Sequence, residues 1–119
     1  PTFTEIAGGT IPNGLHGRSF VPILHGQKPS DWRHSVYYQY YDPGHGVAPH
    51  YGLRSQRYTL AHYPRTDEWD LYDLEKDPRQ MKSVASDSEY APILAELKKE
   101  LKQLQELYQS DPTLLLKKL

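Results

Sequence analysis

Apolar and aromatic residues in this chain alternate with polar ones in four short runs, then recur at helical spacing in one long run. Residues 36–41 form the clearest strand, being aromatic and β-branched: Val36, Tyr38 and Tyr40 share one face, and Tyr37, Gln39 and Tyr41 share the other. A second strand is expected over 51–55 and a third over 57–63, with Tyr58, Leu60 and His62 on one side. Ser55 and Gln56 alone separate them, which predicts a tight hairpin, although neither residue favours positive φ. Residues 69–74 again alternate with period two, setting Trp69, Leu71 and Asp73 opposite Asp70, Tyr72 and Leu74, before Asp77-Pro78 turns the chain.

The long run reads differently. Tyr90, Leu94, Leu97, Leu101, Leu104 and Tyr108 step by fours and threes, one apolar stripe on a helix of about five turns. Lys98, Lys99, Lys102 and Gln105 are expected on the opposite face. Ser86 to Glu89 has the form of a capping box, with Pro92 shifting the true start up to three residues later. Asp111-Pro112 is expected to stop the helix, leaving 113–119 as a tail. Four short antiparallel strands packed against one long C-terminal helix make a two-layer α+β fold. The stripe also fits a coiled-coil dimer, but it lasts under three heptads.

Ahead of the strands the chain is punctuated by Gly and Pro. Residues 1–7 read as the end of a helix whose beginning is missing, stopped by Gly8-Gly9. Pro12, Gly14 and Gly17 mark a loop. Ser19 is placed to cap a short helical turn over 20–24, with Pro22 in its first turn and Gly26 closing it. Trp32 is the expected anchor of the next loop.

Composition narrows the chemistry. With 119 residues there is room for one small domain. The ten tyrosines extend a modest hydrophobic fraction of 37%, so a core forms with many hydroxyls near its edge. No cysteine is present, which excludes disulfides, thiolate metal sites and cysteine nucleophiles. A net charge of −1 gives no case for a nucleic-acid partner. No apolar run approaches the roughly 20 residues that span a bilayer, so no membrane partner is expected, and no signal peptide is visible. The six histidines (His16, His25, His34, His45, His50 and His62) make no zinc-type pair, and Asp42 with His45 is only a weak cation signal. Neither a Gly-x-Ser-x-Gly elbow nor a phosphate loop occurs. The neighbouring carboxylates Asp67 and Glu68, and Asp70 and Asp73, are expected to be solvated rather than an acid/base pair.

Several ordered motifs carry a resemblance. Residues 67–78, Asp-Glu-Trp-Asp-Leu-Tyr-Asp-Leu-Glu-Lys-Asp-Pro, resemble the closing signature of sulfatases, Trp-Glu-Leu-Tyr-Asp-Leu followed after two residues by Asp-Pro. Residues 50–60, from His50-Tyr51-Gly52-Leu53-Arg54 to Leu60, are similar to that family's His-Tyr-Gly-Val-Arg strand pair. Gly17-Arg18-Ser19-Phe20, Pro22-Ile23-Leu24 and Gly26 resemble its linker, Asp31-Trp32-Arg33 and residues 37–41 fit as well, and Pro1-Thr2-Phe3 matches a Pro-Thr-Leu near the end of its catalytic domain. Where the family carries Glu and Asn after Asp-Pro, this chain has Gln80 and Ser83.

The chain thus resembles the C-terminal domain of a formylglycine-dependent sulfatase of the arylsulfatase and N-sulfoglucosamine sulfohydrolase type. The resemblance implies that residues 1–26 end a catalytic domain and link it onward, that 27–110 form the C-terminal domain, and that 111–119 are a tail. It implies a sulfuric ester hydrolase, periplasmic or secreted, whose formylglycine and calcium lie in a missing N-terminal catalytic domain, the expected partner of this chain. No catalytic residue, metal ligand or cofactor is expected here: cysteine is absent, and Ser110-Asp111-Pro112-Thr113-Leu114 lacks the arginine of the formylglycine motif. In related sulfatases loops of this domain reach the rim of the substrate cleft. The candidates for contact with a sulfated sugar are Arg54, able to pair with a carboxylate or sulfate, His50, able to hydrogen-bond a hydroxyl, and Tyr51. Glycosaminoglycan, other sulfated polysaccharide and small aryl sulfate all remain open as substrates. The competing reading is a free-standing carbohydrate-binding or dimerisation module. If residues 1–25 normally cover a catalytic domain, Phe3, Ile6 and Phe20 should be exposed in this chain alone.

Overall fold

The computed structural model describes residues 1–42 and 45–116. It divides into two compact units, Pro1–Arg33 and His34–Leu119.

The first unit is built from two very short helices. α1 (Thr2–Ile6) ends as expected where Gly8 turns left-handed at φ 70. In α2 (Val21–Leu24) the Ser19 hydroxyl accepts a bond from the Val21 N–H, at 3.3 Å, and Gly26 at φ 74 closes the turn. The Phe20 N–H reaches the Thr2 hydroxyl, at 3.2 Å, and ties the two helices together. Arg18 grips both the carbonyl and the carboxylate of Asp31 at 2.7 Å, and the guanidinium groups of Arg18 and Arg33 both lie over the Trp32 ring. Among the described residues of this unit only Thr2 is buried; its large apolar side chains are not.

The second unit is an antiparallel meander of four strands, β1 (Ser35–Tyr40), β2 (His50–Ser55), β3 (Tyr58–Tyr63) and β4 (Glu68–Asp73), in the order β1-β2-β3-β4. The β2–β3 turn contains Gln56 and Arg57, one position later than expected. Neither needs positive φ, because the Ser55 side chain replaces backbone pairing. Its oxygen accepts from the Tyr58 N–H at 2.9 Å and its hydroxyl donates to the Tyr58 carbonyl at 3.2 Å.

The registers set three rows of side chains on each face. On one face run Tyr37-Leu53-Leu60-Leu71, flanked by Gln39-Tyr51-His62-Trp69 on one side and by Ser35, Ser55, Tyr58 and Asp73 on the other. α3 (Ala91–Leu107) covers this face. Leu53, Leu60 and Leu71 are fully buried beneath Tyr90, Leu97 and Leu101. Each such leucine is worth about 1.5–3 kcal/mol relative to exposure.

Three details of α3 differ from the pattern-based expectation. Asp87, not Ser86, provides the cap: its carboxylate accepts from the Glu89 N–H at 3.0 Å and opens a 3-10 turn (Ser88–Tyr90) leading into α3. The helix ends before Asp111-Pro112, because Gln109 turns left-handed at φ 51 and the Ser110 N–H folds back to the Gln105 carbonyl. Lys98 and Gln105 flank the stripe rather than opposing it. The stem of a lysine can lie on apolar surface with its head in water, and the Lys98 ammonium sits 3.9 Å from the Trp69 ring centre. Beyond α3, the 3-10 turn Pro112–Leu116 buries Leu115, whose carbonyl accepts from Arg65. The end of the expected tail, 117–119, lies outside the described residues.

Candidate functional site

The other face of the sheet is not covered by α3. Its rows are Tyr40 and His50 with Tyr63 and Glu68, then Tyr38-Gly52-Ala61-Asp70, then Val36-Arg54-Thr59-Tyr72. Strand alternation therefore separates the three sequence candidates. His50 and Arg54 share this open face, while Tyr51 belongs to the helix-covered face.

His50 sits in an aromatic frame. Tyr40 stacks on it at 5.6 Å, Tyr63 is tilted against it at 5.3 Å, and Tyr38 meets it edge-on at 5.8 Å. A carbonyl can only accept, so the 2.8 Å contact to Ala48 O places a proton on Nδ1. Nε2 has no hydrogen-bond partner among the described residues. The ring is thus held in one orientation with one nitrogen available to a ligand.

Tyr38 and Gly52 form the middle of the face. The Tyr38 ring lies across Gly52 and its hydroxyl donates to the Leu60 carbonyl at 3.1 Å. A Cβ at Gly52 would collide with that carbonyl and stand 2.6 Å from the Tyr38 oxygen, so only glycine admits the ring here. Burial, helped by the nearby Tyr63 and Asp70, pushes the Tyr38 phenol up to about 12, so it stays a neutral donor. Arg54 is exposed, donates across the strand pair to the Thr59 hydroxyl at 3.2 Å, and has no carboxylate partner among the described residues. Charge divides the face: β1 and β2 contribute no acid to it, whereas β4 contributes Glu68 and Asp70. Burial, helped by the nearby Asp70, pushes the Tyr63 and Tyr72 phenols up.

On the covered face Tyr51 belongs to a line that sequence reasoning missed. Its hydroxyl lies 2.8 Å from His62 Nδ1, and His62 Nε2 lies 2.9 Å from the Asp67 carboxylate. With Nε2–H donating to Asp67, Nδ1 accepts the Tyr51 O–H. The order hydroxyl, imidazole, carboxylate matches a nucleophilic triad in connectivity. It does not match in environment: burial pushes the Tyr51 phenol up, which opposes the phenolate. His62 is stacked on Trp69 at 4.0 Å, inside the sheet–helix layer. This line clamps β2 and β3 under α3. The signal that could have found it is the shared alternation phase of Tyr51, His62 and Trp69.

The carboxylates also need correction. Asp70 and Asp73 point to opposite faces, and Asp73 is not solvated but 2% exposed. Arg57 holds it through two bonds of 3.1 and 2.9 Å, and the Tyr90 hydroxyl and Glu75 N–H add two more. Arg57, then Tyr90 and Glu75, lower the carboxyl from 3.8 to about 2 against the opposing effect of burial. Asp67 is bound to His62, and Glu68 accepts from Thr66.

Nothing gathers a metal: among the described residues no three His, Cys, Asp or Glu side chains come together, and exposed His45 pairs with Asp42 at 2.8 Å. The Ser110 hydroxyl is engaged with Tyr37 and Gln39. Among the described residues no side-chain group fits a calcium site. Ser83, where the resemblance predicts Asn, accepts from the Leu71 N–H at 3.2 Å, and the Val84 N–H bonds the Leu71 carbonyl at 2.8 Å.

This arrangement defines a two-layer α+β module with one sealed and one open face. The chain belongs to the family described as N-sulphoglucosamine sulphohydrolase, C-terminal, which matches residues 1–107. It is 41% identical to an N-acetylglucosamine-6-O-sulfatase of Bacteroides thetaiotaomicron, over 94% of this chain and 21% of that protein. To a Delta 4,5-hexuronate-2-O-sulfatase of the same organism it is 36% identical, over 81% of this chain and 20% of that one. Among solved structures, BT4656 in complex with its substrate D-glucosamine-2-N,6-O-disulfate superposes with a TM-score of 0.88 at 39% identity, covering 94% of this chain and 24% of that one. The chain therefore spans about a fifth of the length of these curated relatives.

Proposed function

We propose that this chain is the C-terminal, non-catalytic part of a sulfuric ester hydrolase acting on sulfated carbohydrate. In this reading it packs on a catalytic domain formed by preceding polypeptide, and the His50 end of its open face helps line the substrate cleft. Residues 1–26 close the catalytic body and 27–110 form the C-terminal domain. The formylglycine and the calcium belong to the preceding polypeptide, and the whole enzyme works in the periplasm or outside the cell. The aldehyde hydrate would supply the nucleophile there; this chain's contribution is to orient the sugar.

The observation that carries the reading is His50, framed by three tyrosines, fixed through Nδ1 and without a partner at Nε2 among the described residues, in a chain that spans only a fifth of its sulfatase relatives. The first unit supports the docking. Phe3 is 85%, Ile6 63% and Phe20 45% exposed. Isolated helices as short as α1 and α2 are not stable without tertiary cover. The test is to express the full-length polypeptide and assay it against sulfated mono- and oligosaccharides, alone and as His50→Ala. Sulfate release by the parent is expected, with KM raised about tenfold in the variant, the scale of removing one hydrogen bond between site and ligand. No release from any sulfated sugar, or an unchanged KM, would sink the proposal.

A further inference from the structure

The open face has a direction as well as a composition. His50, Gly52 and Arg54 are successive outward positions of β2, so the Cα atoms of His50 and Arg54 stand about 13 Å apart at the usual strand rise. That separation exceeds one sugar ring. The arginine does not shorten it, because its guanidinium is tied sideways to Thr59 on β3, across the strand rather than along it. Between the two lies the Tyr38 ring, brought over Gly52 with its hydroxyl bonded to Leu60 O.

We propose that β2 is a track for an extended sulfated oligosaccharide, with His50 and Arg54 contacting different sugars of one chain. This rests on the proposed function and names the substrate class within it. His50 Nε2 accepts a hydroxyl of the sugar nearest the cleft. Tyr38 offers a flat aromatic surface to the next ring, an apolar body with its polar end already satisfied. Arg54 pairs with a sulfate or carboxylate further along. Charge complementarity favours this occupant and its path. The β1–β2 half of the face carries no acid and an arginine without a carboxylate partner among the described residues, whereas Glu68 and Asp70 on β4 repel an anionic chain from the other half.

The test uses the full-length polypeptide, a sulfated monosaccharide and a sulfated tetrasaccharide bearing the same terminal sugar, with Arg54→Gln and His50→Ala. The readout is the ratio of kcat/KM for tetrasaccharide to that for monosaccharide. Arg54→Gln is expected to lower this ratio about tenfold, the scale of removing one charge-assisted hydrogen bond, while His50→Ala lowers both substrates together. An unchanged ratio in Arg54→Gln overturns the track: if both substrates suffer equally, the two residues grip one sugar, and if neither does, Arg54 binds no ligand. A drop for both substrates in His50→Ala keeps the broader reading intact in either case. If neither variant affects either substrate, the reading of this face as substrate-lining fails as well. Urea denaturation of both variants separates weakened binding from a failure to fold.

Discussion

Under α3, the rows across the sheet end in partners, apart from the buried Nε2 atoms of Gln39 and Gln105, which have none among the described residues. The leucines meet the helix, Tyr51 meets His62, and Asp73 meets Arg57 and Tyr90. On the open face the rows end in groups with capacity left over among the described residues: Nε2 of His50 and the guanidinium of Arg54. The same four strands supply both, in alternate positions. Stability is concentrated on one side of the sheet and the proposed recognition chemistry on the other, so substitutions at adjacent strand positions should have different kinds of effect.

The largest effect that could break this contrast is at the centre of the sealed side. Leu60→Ala should lower unfolding free energy by about 3 kcal/mol, since it opens a cavity among fully buried leucines; urea denaturation measures it, and a loss below about 1 kcal/mol would mean the layer is loosely packed. Asp73→Asn should cost about 2 kcal/mol at neutral pH by weakening charge-assisted bonds. Because the folded carboxyl titrates at about 2 rather than 3.8, its stabilisation is complete above the unfolded value and is lost as pH falls through about 2. Wild type and variant should therefore converge in acid, and a gap independent of pH would show that the charge is not the cause. Gly52→Ala sharpens the contrast from the open side. Its Cβ must displace both the Leu60 backbone and Tyr38, costing about 1–3 kcal/mol, and chemical shifts of Tyr38 and His50 should move together. Smallest of all, Arg54→Gln should change stability by less than about 0.5 kcal/mol; a larger loss would make Arg54 part of the framework.

Much of this organisation is legible in the residues. Period-two alternation divided the faces of β1, β3 and β4 as the registers later paired them, although Ser35, His50 and Glu68 lay outside the expected strands and β2 was given no faces, and the leucine stripe marked the side of α3 that meets the sheet. What stayed hidden depends on contacts between distant residues. Asp73 looked solvated because alternation alone does not reveal Arg57, on another strand's approach, or Tyr90, at the start of the helix. Tyr51 was grouped with its neighbours His50 and Arg54 by motif, although its phase already set it on the other face. The placement of Tyr38 over Gly52 requires the β1–β2 register, which pairs the two. Ser55 took the place of a backbone turn, a substitution of chemistry that turn preferences do not anticipate.

The bonds from Leu71 to Ser83 and Val84 have a consequence for how these molecules can associate. They occupy the outward N–H and carbonyl of β4 with the molecule's own chain, so another strand cannot add there without displacing them. β1, at the opposite margin, has no such backbone cover among the described residues. Fibre growth by strand addition needs two receptive margins on each unit, and this one has a single margin. Any aggregation through the sheet should stop at symmetric pairs joined β1 to β1.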